Sequence, residues 1–332
     1  MASYLGYPFD AELFVANWAN QPDPTKAALV SSGAMVEDAS IAARIADGGD
    51  LYTVPFYKPL TGTPANYDGA TDIPVEDSSG DSASGIVFGI AQGWAESQFV
   101  RDYNSGADPM GTQVIPGVAK FYQKQRQKTM LGILGAVCGL AEMKSHVIDT
   151  KAAIDATTLG DATVDAIGDQ ADTVSIAFMH SKVANALAKK ELLEYAKYTD
   201  ANGIQRQVRN LAYANGMTVI VDDNAPMTPA TSGGTPKPAT YTTYLLGVGA
   251  LRHAVAPVEV PAEVVREAIK AGGKNTLVTR RRETIHPNGF SFAKPGSGYT
   301  ASPTLAQLSD KANWSLKFDP KSISIVSVTT QA

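Results

Sequence analysis

The apolar and polar positions divide the chain into a sparsely apolar beginning, a hairpin with a long polar connection, one long helix and a mixed remainder. Residues 1–50 hold too few apolar side chains for a core of their own. Within them only 35–49 has helical spacing, and this stretch ends with Gly48 and Gly49. We therefore predict that 1–50 is an arm that lies on another part of the structure.

Two runs rich in β-branched and aromatic residues, 51–60 and 85–95, predict strands on either side of a polar connection. Hairpins are normally closed by two to five residues, so a connection this long indicates either a functional loop or a wrong assignment of the strands. Positions 61–83 include no Lys or Arg, and the pattern shows almost nothing apolar to bury. The charged residues of this region that we select as contact candidates are Lys58, Asp68, Asp72, Glu76 and Asp77.

The longest helical pattern begins near Asp108–Pro109, or more securely at Pro116, and ends near Ala141. Its second half is apolar on nearly every side, which is typical of a helix that is buried all round. Its first half carries a basic stripe at intervals of four residues, and like charges at that spacing destabilise an isolated helix by about 0.2–0.5 kcal/mol per pair. The basic residues of this half are Lys120, Lys124, Arg126 and Lys128.

The rest of the chain alternates strand and helix patterns, so the predicted fold class is α+β, with no internal repeat. The predicted elements are a strand over 174–180, a helix from an N-cap at Ser181 to about Tyr198, strands over 216–223 and 240–251, a helix over 260–273, a strand over 276–286 that turns at Pro287–Gly289 into a return strand, and a last strand within 321–330. The apolar alternation of the last strand changes face between Ile325 and Val326, which predicts a bulge or a position at the edge of a sheet.

Composition narrows the class of protein. The 332 residues are 44% hydrophobic with a mean hydropathy of -0.10, as in folded globular chains, and the net charge of -5 argues against a non-specific nucleic-acid binder. The single cysteine, Cys138, excludes a disulfide framework and a cysteine-based metal site. The chain begins without a signal-peptide pattern, and no stretch approaches the roughly 18 apolar residues of a membrane span. We expect synthesis in the cytoplasm and no membrane partner.

No motif for catalysis, a metal ion or a cofactor is present in the sequence. The histidines lack zinc-ligand spacing, and we predict structural roles for all of them. Asp222 and Asp223 follow a predicted strand, where carboxylates can bind a hard cation, but turn formation at the end of the strand is the favoured alternative. Cys138 lies in an apolar run and is predicted to be a small buried side chain. The histidines are His146, His180, His253 and His286.

Three surfaces carry charge of a single sign: the acidic connection, the basic stripe of the long helix, and the run Arg280–Arg281–Arg282, which precedes Glu283. Each of them alone could be a solvated face. Together with an arm and a hairpin that cannot fold alone, they favour contacts with other copies of the chain. We hypothesise that carboxylates of the connection pair with these basic residues on a neighbouring copy, each exposed pair contributing about 0–1 kcal/mol.

The order of these elements resembles that of the major capsid proteins of tailed bacteriophages, which have the Hong Kong 97-type fold. The resemblance covers essentially the whole chain. The stretches that carry it are IVFGIAQGWAESQFVRD, SIAFMHSKVANAL, GMTVIVDD, RRRETIHPNGFSF and TLAQLSDKANWSLKFDPKSISIVSV. Each stretch is a packing pattern and not a catalytic signature, so their shared order is the stronger sign.

The resemblance implies a Hong Kong 97-like α+β fold with an N-terminal arm, an E-loop hairpin, a long spine helix, and peripheral and axial domains. The implied divisions are 1–50 for the N-terminal arm, 51–95 for the E-loop, 96–149 for the peripheral domain with the spine helix, 150–255 for the axial domain, 256–310 for the peripheral-domain helix and return strands, and 311–332 for a C-terminal strand on the axial domain.

The implied function is that of a coat protein in the virion, made and assembled in the cytoplasm of the bacterial host. Its copies would form hexamers and pentamers of an icosahedral shell around double-stranded DNA, with no enzymatic activity and no cofactor. Implied partners include portal and decoration proteins and a scaffolding protein. Relatives with a built-in scaffold carry a long segment before the arm, so here we expect a separate scaffolding protein. Some relatives form a Lys–Asn isopeptide bond from the E-loop region where Lys58 lies, but no residue pattern establishes that chemistry.

Three other functions fit parts of the pattern. An encapsulin-type compartment shares the implied fold and would enclose enzymes in place of a genome. A hydrolase would need Asp222, Asp223 and a histidine as its catalytic groups, a set that no motif supports. A surface-layer or tail protein would form sheets or tubes in place of closed shells.

Overall fold

The computed structural model of the chain describes residues 2–4, 7–9, 23, 25–69, 72–103, 108–199, 205–231, 238–296 and 298–331. The strands are β1 Ala2–Tyr4, β2 Tyr7–Phe9, β3 Met35–Glu37, β4 Leu51–Tyr57, β5 Gly80–Ile86, β6 Phe88–Ser97, β7 Val147–Ala153, β8 Val174–Met179, β9 Glu194–Thr199, β10 Gln205–Ala214, β11 Met217–Val221, β12 Met227–Thr228, β13 Thr240–Gly247, β14 Leu251–Ala256, β15 Ala262–Glu267, β16 Lys274–Pro287, β17 Phe290–Phe292, β18 Trp314–Leu316 and β19 Ile325–Gln331. The helices are α1 Ala39–Ile45, α2 Gln98–Tyr103, α3 Ile115–Cys138, α4 Thr158–Ile167, α5 Ser181–Lys189 and α6 Leu305–Leu308.

Two larger sheets and three strand pairs contain these strands. The eight-stranded sheet has the order β7-β19-β13-β8-β11-β10-β9, with β12 paired to β13. The five-stranded sheet has the order β15-β16-β14-β3, with β6 paired to β16 as well. The remaining pairs are β1-β2, β4-β5 and β17-β18. The chain passes from the larger sheet to the smaller one between β13 and β14, so the predicted division at residue 255 lies inside β14.

The long helix predicted from the apolar pattern is confirmed as α3, and a π-helical turn over Met110–Val114 leads into it. Pro116 lies in the first turn, where its missing N–H leaves no hydrogen bond unmade. Met130, Leu134 and Val137 are buried in an apolar cluster that also takes side chains from both larger sheets. α3 therefore joins the two sheets through one core. Among the described residues, no helix combines the length and the apolar composition that are required to cross a membrane.

Two further apolar clusters surround this core. α4 and α5 pack on the eight-stranded sheet, and Val183 and Leu187 of α5 are buried there four residues apart on one side of the helix. A smaller cluster joins α1 to the start of the hairpin through Ile41, Ile45 and Tyr52. The helix predicted within the arm is thus confirmed, and it is held by the hairpin and by β14.

The predicted strand over 85–95 is in fact two strands. β5 pairs antiparallel with β4, whereas β6 pairs antiparallel with β16 in the five-stranded sheet. The two strands separate at Val87, whose side chain is buried in the cluster that holds Tyr52. The hairpin therefore consists of residues 51–86, and 88–97 belongs to the sheet.

The helix predicted from Ser181 to Tyr198 is shorter, and another residue caps it. α5 ends at Lys189, and β9 follows it in the chain. The N-cap is His180, whose Nδ1 accepts a hydrogen bond from the backbone N–H of Lys182 at 3.1 Å. A histidine at the end of a buried strand therefore has the capping role that the pattern gave to serine.

The segment 260–273 forms β15 and a short 3₁₀ turn, so the helix predicted there is wrong. β15 pairs antiparallel with residues 274–279 of β16. The apolar spacing fits a helix, but Val264 and Val265 are β-branched and suit a strand as well. The partner strand comes later in the chain, so local spacing alone could not show the pairing.

The return strand predicted after the turn at Pro287–Gly289 exists as β17, but its partner is β18 and not β16. Gly289 has a φ of 85°, which glycine adopts without strain, and this residue reverses the chain. Phe292 then packs edge-to-face on Trp314 of β18, with ring centroids 5.0 Å apart. Burial of the aromatic rings therefore sets the partner of this strand.

The last strand lies in the interior of its sheet, so the predicted edge position is wrong. β19 lies between β13 and β7 and is buried on both faces over 325–328. Ile325 belongs to the cluster around α3, whereas Val326 belongs to the cluster under α4 and α5. The change of face in the sequence is therefore the sign of a strand with a core on each side. A register irregularity against β7 does occur, between Thr329 and Gln331.

Candidate interaction surfaces

The hairpin β4-β5 carries a long connection without regular structure. A hydrogen bond from the backbone N–H of Lys58 to the carbonyl of Ser79, at 2.9 Å, closes the paired part. Every described residue from 58 to 79 is exposed. We name residues 58–79 the acidic loop. None of its described residues is buried against the rest of its own chain.

The acidic loop is less polar than the sequence pattern predicted. Four large apolar side chains of its described residues are between 72% and 92% exposed: Leu60, Tyr67, Ile73 and Val75. The prediction that this stretch has almost nothing apolar to bury is therefore corrected. Apolar side chains that gather on one exposed segment mark a surface for interaction, because water solvates them poorly.

The acidic residues of the loop are exposed along with these apolar ones. They are Asp68, Asp72, Glu76 and Asp77. Asp81, at the base of the hairpin, differs from them because it pairs with Lys317 of the same chain at 3.3 Å. Hydrogen bonds from the backbone of Ser82 and from Lys317 hold the pKa of Asp81 below its usual value. The charge of the base is therefore balanced within the chain, and the loop remains a surface of negative charge.

One lysine of the predicted basic stripe of α3 already forms an ion pair within the chain. Lys124 forms an ion pair with Asp23, and the hydrogen bond in this pair lowers the pKa of Asp23. Lys120 and Lys128 are exposed, and neither forms an ion pair with a residue in the part of the chain that the structure describes. Lys124 thus contributes to holding the arm on α3, and the other two lysines stay candidates for contact with a partner.

Arg126 lies on the side of α3 that faces the five-stranded sheet, where it forms a buried charged group with Glu283 and His253. Its Nε donates to Oε2 of Glu283 at 3.0 Å, and Nε2 of His253 lies 3.1 Å from the same oxygen. Burial would raise the pKa of Glu283, but the hydrogen bonds from His253 and Arg126 outweigh burial and hold the pKa below its ordinary value. The contact candidates Arg126 and Glu283 are thus brought together inside one chain.

The three arginines of the run in β16 do not form one patch, because successive residues of a strand point to opposite faces. Arg280 pairs with Glu263 of β15. The guanidinium of Arg281 lies 4.3 Å from the centre of the Tyr122 ring of α3, a cation–π contact. Arg282 donates to a backbone carbonyl at the start of the hairpin at 2.5 Å. Pairing of this run with the acidic loop of another copy stays a prediction.

Asp222, a candidate cation ligand in the sequence, is 2% exposed and binds groups of its own chain. Its Oδ2 accepts hydrogen bonds from Nε2 of Gln127 at 2.9 Å and from the N–H of Ala28 at 3.3 Å. Its Oδ1 accepts from the N–H and the side-chain amide of Asn224 at 2.9 and 2.6 Å. Gln127 in turn accepts from the N–H of Leu29 at 3.0 Å. We name these five residues the arm clasp, because they fix the arm to α3 and to the end of β11.

The arm clasp favours the turn-forming alternative for the two aspartates over the cation site. Both carboxylate oxygens of Asp222 already accept hydrogen bonds from this chain, and Asp223 accepts one from the N–H of Ser181 at 3.3 Å. Within the described ranges, no group of three or more His, Cys, Asp or Glu side chains is placed to hold a metal ion.

Gln127 and Glu96 are structural residues that the sequence pattern missed. Gln127 precedes Met130 by three residues and Leu134 by seven, so it lies on the buried side of α3. A polar residue on such a side needs a buried partner, and this spacing is the signal that could have revealed it. Glu96 is buried at the end of β6 and accepts from the N–H of Met110 at 3.1 Å, which fixes the start of the helical segment.

The four histidines are buried. Nδ1 of His180 lies 3.7 Å from Oδ1 of Asp223, and the same nitrogen accepts the backbone hydrogen bond that caps α5. Nδ1 of His146 lies 2.9 Å from a backbone carbonyl. His286 contacts the rings of Tyr52 and Trp314, and burial lowers the pKa of His286 to about 4. Burial also raises the pKa of Cys138 to about 12, so this thiol is not ionised near neutral pH.

Phage capsid proteins are among the known proteins that are similar to this chain. Residues 96–323 match a family model described as Gp13-like, major capsid protein 13-like. The major capsid protein of Bacillus phage SPP1 is 29% identical over 294 residues, and the alignment covers 87% of this chain and 86% of that relative.

Solved capsid structures are similar to the whole chain. The capsid of Ralstonia phage GP4 aligns with a TM-score of 0.59 at 12% identity, covering 100% of this chain and 98% of that one. The capsid of cyanophage Pam1 aligns with a TM-score of 0.56 at 10% identity, covering 99% of each chain. The capsid of Helicobacter pylori bacteriophage KHP30 aligns with a TM-score of 0.54 at 11% identity, covering 100% of each chain. At these identities the likeness concerns the fold, and it confirms the predicted Hong Kong 97-like α+β architecture.

Proposed function

The chain belongs to the Gp13-like family of major capsid proteins, and from this membership we propose that its copies form the hexamers and pentamers of an icosahedral shell. The family is structural, so the chain is a component of the virion of a tailed phage. We propose that its role is structural, without catalytic activity and without a cofactor.

The exposed acidic loop is the observation that carries this proposal. It combines four acidic residues with four large apolar side chains, and the chain that holds it does not bury them. In a closed shell every copy has neighbours, so the same loop meets the same surface at each repeat. An exposed ion pair contributes only about 0–1 kcal/mol. Repetition around the shell and burial of the apolar side chains would then supply the stability of the assembly.

The parts of the fold suggest how the chain is arranged in the shell. We propose the eight-stranded sheet with α4 and α5 as the axial domain, and α3 with the five-stranded sheet as the spine helix and peripheral domain. The hairpin 51–86 would be the E-loop, and 1–50 the N-terminal arm. β14 would then belong to the peripheral domain, because it pairs with β16.

The contents and partners of the shell follow from the same proposal. The shell would enclose double-stranded DNA and carry a portal, with a scaffolding protein and a decoration protein as further partners, and assembly would take place in the cytoplasm of the host. The net charge of -5 suits a wall that encloses DNA without binding it tightly, since basic walls would form many phosphate contacts.

Electron microscopy of the assembled protein tests the proposal. The chain is expressed with and without a candidate scaffolding protein, and the particles are purified and imaged. We expect closed shells of hexamers and pentamers under at least one of these conditions. A stable, monodisperse monomer under both conditions, or only flat sheets and open tubes, would contradict the proposed function.

A further inference from the structure

The paired strands of the hairpin have one covered face and one open face. We name residues 51–57 and 80–86 the stem. Exposure alternates along β4, where Tyr52 is 6% exposed and lies on the same side as Val54. Ala83 of β5 pairs with Val54 and is 8% exposed. One side of the stem therefore packs against the rest of its own chain, in contrast to the exposed acidic loop.

Tyr52 attaches the start of the stem to the five-stranded sheet. Its hydroxyl lies 3.0 Å from Oγ1 of Thr284 in β16, and both residues are buried. The ring crosses Gly85 of β5 so closely that a Cβ at this position would overlap it. Immediately before the stem, Asp50 forms an ion pair with Lys294 at 2.7 Å. These contacts fix one end of the stem to the body of the chain.

β17 provides a second attachment, at the outer edge of the stem. The backbone N–H of Ser84 donates to Oγ of Ser291 in β17 at 3.0 Å. An edge strand otherwise presents free backbone groups to solvent. This hydrogen bond uses one of those groups to join β5 to β17, so the strand pair β17-β18 lies beside the stem.

The residues that follow β18 make a third attachment, at the end of the stem nearest the acidic loop. Phe56 and Asp81 pair across the ladder, so their side chains lie on one side of the stem. The ring of Phe318 packs edge-to-face on Phe56, with the ring centroids 4.9 Å apart. The adjacent Lys317 lies 3.3 Å from the carboxylate of Asp81. The stem is thus held at both ends by its own chain.

We name Ser291, Lys317 and Phe318 the bracket, and we propose that the bracket fixes the direction of the stem in each subunit before that subunit meets a neighbour. A two-stranded ribbon is marginally stable alone, and one that is attached only near Tyr52 can swing about that point. Phe56 lies four residues further along β4, about 13 Å away in an extended strand, so attachment there prevents the swing.

The inference rests on the proposed function for its consequence in assembly. A segment that becomes ordered only on binding reduces the affinity, whereas a segment that is already held in place avoids this loss. The bracket therefore lowers the subunit concentration at which shells form. Its effect on the stem is a property of the single subunit and is measured there first.

Pulsed electron paramagnetic resonance on unassembled subunits tests the bracket. In a Cys138→Ala background, spin labels are attached at Tyr57→Cys, at the end of the stem, and at Ala306→Cys on α6, both of which are exposed positions. We expect one narrow distribution of distances between the labels in this parent. The distribution should be at least about twofold wider in the bracket variant, because its stem is held at one end only. The bracket variant carries three further substitutions: Phe56→Ala, Asp81→Asn and Ser291→Ala.

The matched control changes the open face of the same strand. Leu51→Ala with Thr53→Ala alters exposed side chains and leaves the bracket contacts in place, so the width should equal that of the parent. Circular dichroism establishes that each variant is folded. If the bracket variant is not folded, Phe56→Ala alone is measured in its place, with the same expectation. Equal widths in parent and variant, or a broad distribution in the parent, would overturn the proposal.

Assembly gives an independent measurement. Half-maximal formation of shells, followed by sedimentation, should need a several-fold higher concentration of the bracket variant than of the parent. An equal threshold would overturn the role of the bracket in assembly. A parent that forms no shells would contradict the proposed function, and the distance distributions would still decide whether the bracket holds the stem.

Discussion

The junction around α3 and the acidic loop both contain several charged groups, but they satisfy them in opposite ways. At the junction, Glu283 and Asp222 are buried, and their carboxylates accept hydrogen bonds from residues of the same chain. In the loop, carboxylates and apolar side chains alike are exposed to solvent.

The two regions therefore differ in which groups stabilise them. The junction is complete in one chain, because the arm clasp and the group of Arg126, Glu283 and His253 tie three parts of the fold together. The described residues of the loop are not buried in one chain, and we propose that neighbouring copies supply the groups that stabilise it. Substitutions at the junction should therefore reduce the stability of the subunit, whereas substitutions in the loop should affect assembly.

The largest effect is expected for Glu283→Ala. It leaves the buried His253 and the partly buried Arg126 without their acceptor, and breaking a buried pair by removing one partner costs about 3–5 kcal/mol. The measurement is urea-induced unfolding of unassembled subunits. The matched control is Glu263→Ala, which removes the partner of Arg280 at the surface and should cost less than about 1 kcal/mol. Equal losses in the two variants would show that burial does not distinguish these pairs.

The next effect is expected for Gln127→Leu in the arm clasp. The change keeps the size of the side chain but leaves the N–H of Leu29 without its acceptor and removes one of the two hydrogen bonds to Oδ2 of Asp222, at a cost of about 1–3 kcal/mol. Limited proteolysis should then cut more readily near residue 28, because the arm is held less tightly. Gln123→Leu, at an exposed position of the same helix, is the control and should change neither quantity. Unchanged protease resistance in Gln127→Leu would mean that the clasp does not hold the arm.

A smaller, pH-dependent effect is expected from His286. Burial lowers the pKa of His286 to about 4 from an ordinary 6.5, so the folded state binds the proton less readily than the unfolded state. Its contribution to stability is therefore complete above about pH 6.5 and is lost as the pH falls toward 4. Linkage gives a loss of about 2 kcal/mol at pH 5. His286→Phe should remove this part of the pH dependence of unfolding; an unchanged profile between pH 7.5 and pH 5 would assign the slope to other groups.

The sequence predicted the regions whose structure depends on near neighbours in the chain. The apolar second half of α3 and its proline in the first turn are local signals, and the helix was confirmed within a few residues at each end. The strands predicted over 174–180 and 216–223 also rest on local apolar runs, and they are confirmed as β8 and β11.

The sequence failed where a distant partner decides the structure. Residues 262–267 have the spacing of a helix, yet the free edge of β16 makes them a strand. The face change at Ile325 looked like an edge, yet it reflects two cores on opposite sides of β19. For Asp222 the sequence favoured a turn at the end of a strand, but it did not show the buried partners Gln127 and Ala28, which lie far away in the sequence.

The smallest effect on the subunit is expected for reversal of the loop charges by Asp72→Lys, Glu76→Lys and Asp77→Lys. These side chains are exposed, so the free energy of unfolding should change by no more than about 0.5 kcal/mol. Assembly should nevertheless be impaired, since three lysines would meet the arginines of a neighbouring copy. The yield of shells by sedimentation and microscopy is the measurement.

Neutral variants at the same positions separate repulsion from lost attraction. Asp72→Asn, Glu76→Gln and Asp77→Asn keep the size of each side chain and remove only the charge, so shell yield should lie between that of the parent and that of the lysine variant. Added salt should narrow the difference among the three proteins, because exposed charges are screened over about 10 Å at 0.1 M. The exposed apolar side chains Ile73 and Val75 are unchanged in all three proteins. If the lysine variant formed shells as well as the parent at low salt, the loop carboxylates would have no part in assembly, and the apolar side chains alone would have to account for the order of the loop.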